Sequence, residues 1–188
     1  MKTIMKPAVW KILKLFYSNH NAPVHLRKIA RETKMNESSI SRHLNNLVKL
    51  GVLKASKEAN LKKFYIVKRQ IPNIFPLFDE EKLENLPLLR RDAIKIYLTK
   101  LEKKPLLVIV FGSTAKETFR KDSDIDILQV NSTKSKDKET VRYVEAQTGL
   151  RLQVFNLTEE QFRKELKMKE DYVIQSALTT GFPVFNAK

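Results

Sequence analysis

Two short stretches hold residue types that could do phosphate chemistry together. Gly112-Ser113 follows the apolar run Pro105-Leu106-Leu107-Val108-Ile109-Val110-Phe111, and Asp124-Ile125-Asp126 comes shortly after it. Without side-chain bulk at the end of a strand, backbone N–H groups can receive phosphate oxygens. Residues two apart on a strand point to one face, so Asp124 and Asp126 can hold a hard divalent cation, Mg2+ or Mn2+. Gly112 and Ser113 are therefore the candidate nucleotide-binding residues, and Asp124 and Asp126 the candidate metal-binding and catalytic ones. Either half alone is weak: an Asp-x-Asp pair that begins a strand is usually solvated turn chemistry.

A second constellation lies near the other end. Ile40, Leu44, Leu47 and Val48 recur at helical spacing and turn inward, which leaves Ser38, Ser39, Arg42, His43, Asn45, Asn46 and Lys49 on the outer face. All can hydrogen-bond to base edges or phosphates, and Arg42 has the best chemistry for reading a base. Lys54, Lys57, Lys62 and Lys63, with Arg27 and Lys28, suit the phosphate backbone. The bland reading is a helical bundle with a solvated basic face; His43 alone signifies only a polar surface.

Charge separates these readings. The 188-residue chain carries a formal +15, yet residues 1–70 hold 16 Lys and Arg against 3 Asp and Glu, and the remainder 20 against 18. Basicity confined to one segment points to a polyanionic partner, with double-stranded DNA ahead of an anionic membrane. The apolar content of 42% suffices for packed cores, and no run approaches the ~20 residues that cross a bilayer. No membrane partner is expected. The N-terminal lysines interrupt every apolar block, unlike a secretory signal, so a cytoplasmic protein is expected. The absence of cysteine excludes disulfides and thiolate metal sites, and Asn36-Glu37-Ser38 and Asn131-Ser132-Thr133 read as chance sequons.

The elements that position these residues follow from periodicity and punctuation. A first helix starts at Pro7 and runs to Ser18; a second spans Leu26 to Thr33; a third is capped by Asn36 and ends before Gly51. Val52–Ser56 and Lys62–Val67, joined by a polar turn at Glu58-Ala59-Asn60, predict a two-stranded basic wing. Residues 71–85, with Pro72, Pro76 and Asp79-Glu80-Glu81, read as a linker between a domain over 1–70 and another over 86–188. The second domain is expected to hold a helix over Pro87–Leu101, a buried strand over the apolar run and a short helix near Ala115–Phe119. A strand over Asp124–Val130, a helix over Lys138–Thr148 and a strand over Leu150–Leu157 follow. Two helices end the pattern, the first capped by Thr158 and Gln161, the second over Lys169–Thr180. The fold class is α+β, a three-helix winged unit followed by a mixed α/β domain.

The order helix, helix, turn, helix, wing over residues 7–70 resembles the winged helix-turn-helix domains of prokaryotic transcription regulators, in an archaeal type of fusion. The text FGSTAKETFRKDSDIDIL, Phe111 to Leu128, resembles the DNA polymerase beta-like nucleotidyltransferase superfamily, whose signature is Gly-Ser followed at a set spacing by Asp-x-Asp. That resemblance covers about Leu86 to Phe185. It implies that Gly112 and Ser113 bind the triphosphate of a nucleoside triphosphate and that Asp124 and Asp126 ligate Mg2+. It also implies a third carboxylate on a later strand, where this chain reads Leu150-Arg151-Leu152-Gln153-Val154-Phe155-Asn156; Gln153 takes that place. The family's loop glycine is replaced by Glu117. Glu145, Glu159 and Glu160 could supply the missing acid only if the fold brings them near.

Three functions stay open at this point. One is a DNA-binding transcriptional regulator whose second domain binds a nucleotide and Mg2+ with weak or no catalysis. Another is an active nucleotidyltransferase that moves a nucleoside monophosphate to a protein, nucleic acid or small acceptor. A third, implied by the resemblance, is an antitoxin-type protein with a helical toxin as partner. A palindromic operator would make the protein a homodimer.

Overall fold

The computed structural model describes residues 6–58, 61–134 and 137–187, and the chain divides into two compact units, Met1–Phe78 and Asp79–Lys188. In the first, α1 (Pro7–Ser18) begins on Pro7, whose missing N–H costs nothing in a first turn. Its Val9, Ile12, Leu13 and Phe16 form a buried stripe against α2 (Leu26–Thr33) and α3 (Glu37–Lys49), which contribute Ile29, Ile40, Leu44 and Leu47. The turn between α2 and α3 is set by Lys34 in the left-handed region, φ 55°, and by Asn36, whose side chain accepts from the Ser39 N–H at 2.8 Å. Gly51, φ 68°, ends α3 and turns the chain into the wing.

The wing strands β2 (Leu53–Glu58) and β3 (Leu61–Ile66) pair antiparallel, with Lys57 opposite Lys62 and Ala55 opposite Phe64. Residues 59 and 60 of the expected polar turn lie outside the described residues. The sheet is three-stranded rather than two-stranded, because β1 (Val24–His25) pairs with the other edge of β3. A two-residue strand has too little pattern to be seen in sequence; it exists because Val24 is buried and β3 supplies its ladder.

The segment expected to be a linker, residues 71–85, is a helix, α4 (Ile71–Asn85). Pro72 lies in the first turn, where it is harmless, and Ile74, Phe75 and Phe78 recur on one face. Phe78 stacks against Trp10 at 4.5 Å between ring centroids and Phe75 meets Tyr17 edge-on at 5.2 Å. Aromatic packing overrides a composition that looks like a spacer.

In the second unit a four-stranded sheet, ordered β6-β5-β4-β7, lies between two helical layers. Its strands are β4 (Leu107–Phe111), β5 (Ile125–Asn131), β6 (Leu152–Thr158) and β7 (Phe182–Asn186). β5 and β6 run parallel; β4 is antiparallel to β5 and to β7. Val108, Val110, Ile125, Ile127 and Leu152 face Ala93, Tyr97 and Val144 of α5 (Leu88–Lys100) and α7 (Lys138–Thr148). Ile109, Phe111 and Leu128 face Ile174 and Ala177 of α9 (Tyr172–Thr180), with Phe162 of α8 (Glu159–Met168) beside them. The expected capping box at α8 is present, Thr158 with Gln161.

The short helix α6 runs over Gly112–Lys116 rather than 115–119. It starts directly at the strand end and stops because Glu117 adopts the left-handed conformation, φ 58°. Among the described residues no helix is long and apolar enough to cross a membrane.

Candidate functional sites

The strand β4 delivers the chain to Gly112 in the left-handed region, φ 65°, a conformation that L side chains rarely adopt. The second reason for glycine there is space. A Cβ would overlap the Asp126 carboxylate and stand 2.9 Å from its Cγ. Phe111 is the cross-strand partner of Asp126, so the pairing of β4 with β5 itself brings the Gly112-Ser113 backbone against that carboxylate. Asp124 precedes β5 by one residue and shares the parity of Asp126, so the two acids stand on one face. Both are half-buried. Desolvation first, and the negative charge of Asp124 second, push the Asp126 carboxyl above its ordinary pKa. A divalent cation would relieve the unfavourable charge on Asp126, so two carboxylates on one face beside the Gly112-Ser113 backbone fit Mg2+ or Mn2+ held jointly with ligand phosphates.

The third position is read directly from the sheet register: Asp126 pairs with Gln153 on the parallel neighbour β6. Gln153 is exposed and on the same face. Its amide can donate or accept a hydrogen bond but brings no charge to a cation and cannot take a proton. The other acids go elsewhere. Glu145 accepts from the Leu152 N–H at 3.2 Å, and thus serves the start of β6. Glu159 and Glu160 stand at the far end of β6, Glu159 accepting from Arg163 at 2.7 Å. No group of three or more His, Cys, Asp or Glu side chains able to hold a metal ion occurs among the described residues.

Arg90, which sequence reasoning passed over, is built into the same site. It is 4% exposed; its Nη1 donates to Thr114 Oγ1 at 2.9 Å, and its Nη2 to the carbonyls of Arg120 at 3.0 Å and Ser123 at 2.7 Å. The guanidinium lies 4.2 Å from the Phe119 ring centroid. Burial lowers its pKa and the charge of Asp124 opposes that shift. The signal that could have found it is helical phase, since Arg90 is in step with Ala93, Ile94 and Tyr97 and Arg91 beside it is not.

In the first unit, Ser38, Arg42, His43, Asn45, Asn46 and Lys49 of the expected outer face line one open groove on α3, with Lys6 and Ser41. Lys6, at the start of α1, was missed because it belongs to no periodic pattern. Ser39 is partly engaged by the helix cap, through its backbone N–H. On the wing, Lys57 and Lys62 line a shallower concavity with Ala55 and Ser56, and Lys62 also lies 5.2 Å from the Phe64 ring centroid. Lys54 is exposed opposite Tyr65, and Lys63 pairs in register with Ser56. Arg27 reaches Glu37 across the turn at 3.9 Å, while Lys28 is partly buried and its N–H donates to His25 at 3.1 Å. The groove and the wing are thus two separate clusters of the same chemistry, and α2 is a weaker third.

Comparison with known proteins matches each unit to a family. The model "Polymerase beta, Nucleotidyltransferase" matches residues 92–187, and "Bacterial regulatory protein, arsR family" matches residues 6–55. A curated relative, the uncharacterized HTH-type transcriptional regulator MJ1325 of Methanocaldococcus jannaschii, is 39% identical over 79 residues, which are 42% of this chain and 86% of that protein. Among solved structures, the homodimeric winged helix-turn-helix DNA-binding domain Mb0332 of Mycobacterium bovis is 23% identical at a TM-score of 0.36, over 41% of this chain and 68% of that one. A toxin–antitoxin crystal structure with AMP-PNP is 19% identical at a TM-score of 0.40, over 52% of this chain and 73% of that one. The chain belongs to the polymerase beta nucleotidyltransferase family by its C-terminal unit and carries at its N-terminus a helix-turn-helix regulator domain similar to the arsR family.

Proposed function

We propose that the protein is a DNA-binding transcriptional regulator whose nucleotidyltransferase-fold domain binds a nucleoside triphosphate and Mg2+, with Mn2+ as a substitute, and turns it over weakly or not at all. The observation that carries the second half is the register of β5 with β6, which sets neutral Gln153 beside Asp126. Transfer would need an acceptor hydroxyl oxygen to attack the α-phosphorus, the bond to the bridging oxygen to break, pyrophosphate to leave and the hydroxyl proton to go to a base. A divalent cation would stabilise the charge on the departing phosphates. Asp124 and Asp126 can hold that cation and Gly112-Ser113 can present N–H groups to phosphate. Gln153 cannot accept the proton. Binding is therefore better equipped than chemistry.

DNA is the natural ligand of the α3 groove. Its lining is rich in serine, asparagine and cationic side chains, and the segment around it holds nearly all the excess charge. Arg42 is proposed as base reader, and Lys57 and Lys62 as phosphate holders.

One experiment tests the nucleotide half: incubate the full chain with Mn2+ and each α-labelled nucleoside triphosphate, beside Asp124→Asn and Asp126→Asn. Nucleotide binding that both variants abolish, with no label transferred to cell extract, is the expected result. Label transfer abolished by both variants would replace this reading with that of an active transferase.

A further inference from the structure

We propose that Arg90 is the positioning residue of this site, a buried clamp that fixes the segment Thr114–Ser123, from within α6 to the start of β5, and so places Asp124 beside Asp126 and the Gly112-Ser113 turn. The inference rests on the nucleotide-binding reading above. The strand pairing fixes Gly112 against Asp126, but Asp124 stands just outside the strand at the end of this segment, whose outer residues Lys116, Glu117, Thr118 and Arg120 are exposed. The segment's own hydrogen bonds are short-range, Thr118 N–H to the Ser113 carbonyl at 3.0 Å and Arg120 N–H to Ser123 Oγ at 2.8 Å, so each closes one end of it. Arg90 enters from α5, a regular helix, and grips the segment at both ends: Thr114 at the start, and Arg120 and Ser123 at the end, with the guanidinium over the Phe119 ring.

The choice of residue follows from the acceptors. They are a hydroxyl and two carbonyls, one taken by Nη1 and two by Nη2, which a guanidinium can serve simultaneously from a fixed fork. A lysine carries the same charge on one compact head and cannot span them. A buried cation needs compensation. Here it comes from those three oxygens and from the charge of Asp124. The clamp therefore touches Asp124 in two ways, by holding its neighbour Ser123 and by placing a positive charge near it.

Geometry and charge can be separated by substitution. Using the full chain, Mn2+ affinity in the presence of ATP is measured by electron paramagnetic resonance, and backbone hydrogen exchange is followed over residues 107–131. Arg90→Lys keeps the charge and should weaken Mn2+ binding roughly tenfold, the expected loss when two hydrogen bonds fail. Exchange should quicken over 114–123 while β4 and β5 stay protected. Thr114→Val removes one bond and keeps the guanidinium; a roughly threefold loss is expected, which serves if Arg90→Lys fails to fold. Wild-type affinity in Arg90→Lys would show that charge alone suffices and would overturn the proposal. Equal loss of protection in β4 and β5 would overturn it too, since Arg90 would then support the whole domain. If Asp124→Asn in the otherwise unaltered chain leaves Mn2+ affinity unchanged, the nucleotide reading itself fails, and the role of Arg90 falls with it.

Discussion

Replacing Gln153 with glutamate changes one amide to one carboxylate at nearly constant shape, at the position paired with Asp126. Adjacent strands lie about 4.8 Å apart, so the new charge would stand roughly 5 Å from the Asp126 carboxylate. At an effective dielectric constant of about 20, two like charges at that distance repel by about 3 kcal/mol. Gln153 is exposed, so solvent and salt reduce this to about 1 kcal/mol. The metal-free Gln153→Glu protein should therefore be less stable at pH 7 by about that amount, and more so at low ionic strength. A divalent cation reverses the sign, because a third carboxylate attracts it where the amide did not. Mn2+ should bind at least tenfold more tightly than to the wild type, a gain of about 1.4 kcal/mol. Thermal denaturation with and without Mn2+, alongside Mn2+ titration, measures both effects. If Gln153→Glu leaves metal affinity unchanged, position 153 does not face the Asp pair and the account of the missing acid is wrong. If label transfer from an α-labelled nucleoside triphosphate appears in the variant alone, the amide is what limits chemistry in the natural chain.

Gly112→Ala combines a left-handed backbone, costing about 1–2 kcal/mol, with a Cβ that displaces the Asp126 carboxylate, adding about 1–3 kcal/mol. Loss of Mn2+ binding and a lowered C-terminal melting transition are expected; near-normal binding would contradict the close approach. Asp126 is desolvated and faces Asp124, so its folded pKa is raised. The charged form therefore weakens the metal-free fold at neutral pH, and that penalty is relieved as pH falls through the raised value. Asp126→Asn should accordingly melt higher than the wild type at pH 7 without metal, by a margin that shrinks on acidification; a lower melting temperature would refute it. Glu117 sits at φ 58°, so Glu117→Gly should stabilise the domain by about 1 kcal/mol, read by chemical denaturation. On DNA, Arg42→Ala should cost about 1–3 kcal/mol and relax sequence preference, whereas Lys62→Ala should weaken binding to all sequences and reduce the salt slope by about 1. If neither changes affinity in a fluorescence titration at moderate salt, the α3 groove is not a DNA surface.

The legible features were those whose cause is local. Asn36 caps α3 and Thr158 with Gln161 caps α8 as the sequence predicts, because a cap involves residues three apart. The Gly112-Ser113 and Asp124-x-Asp126 stretches were legible for the same reason. β7 was not, because Pro183 removes a ladder donor and argues against a strand. It is tolerated because β7 is the edge of the order β6-β5-β4-β7, a fact that belongs to topology. Gln129 has the same character: a polar side chain in an apolar strand, fully buried, and paired with Tyr97 at 2.6 Å and Asp137 at 2.8 Å.

Arg90 and Arg91 show where the limit lies. They are identical in type and adjacent, yet Arg91 reaches Glu84 at 3.3 Å near the surface, while Arg90 is buried against a loop beginning 24 residues later. A rotation of about 100° along α5 decides which of them faces Thr114, and helical phase reports it: Arg90 is in step with the buried Ala93, Ile94 and Tyr97, and Arg91 is not. A reading that proceeds by motif therefore passes over Arg90, whereas one that proceeds by helical phase marks it as a buried cation. What it is buried against, the segment between the phosphate cradle and the two carboxylates, belongs to the fold. Glu117 takes its left-handed backbone as the C-cap of α6, its N–H donating to the Thr114 carbonyl at 3.3 Å, so that end of the segment is tied by its own bonds. The clamp adds an outside anchor at the Arg120 and Ser123 end, next to Asp124, and releasing it by Arg90→Lys should therefore loosen 120–123 before Glu117.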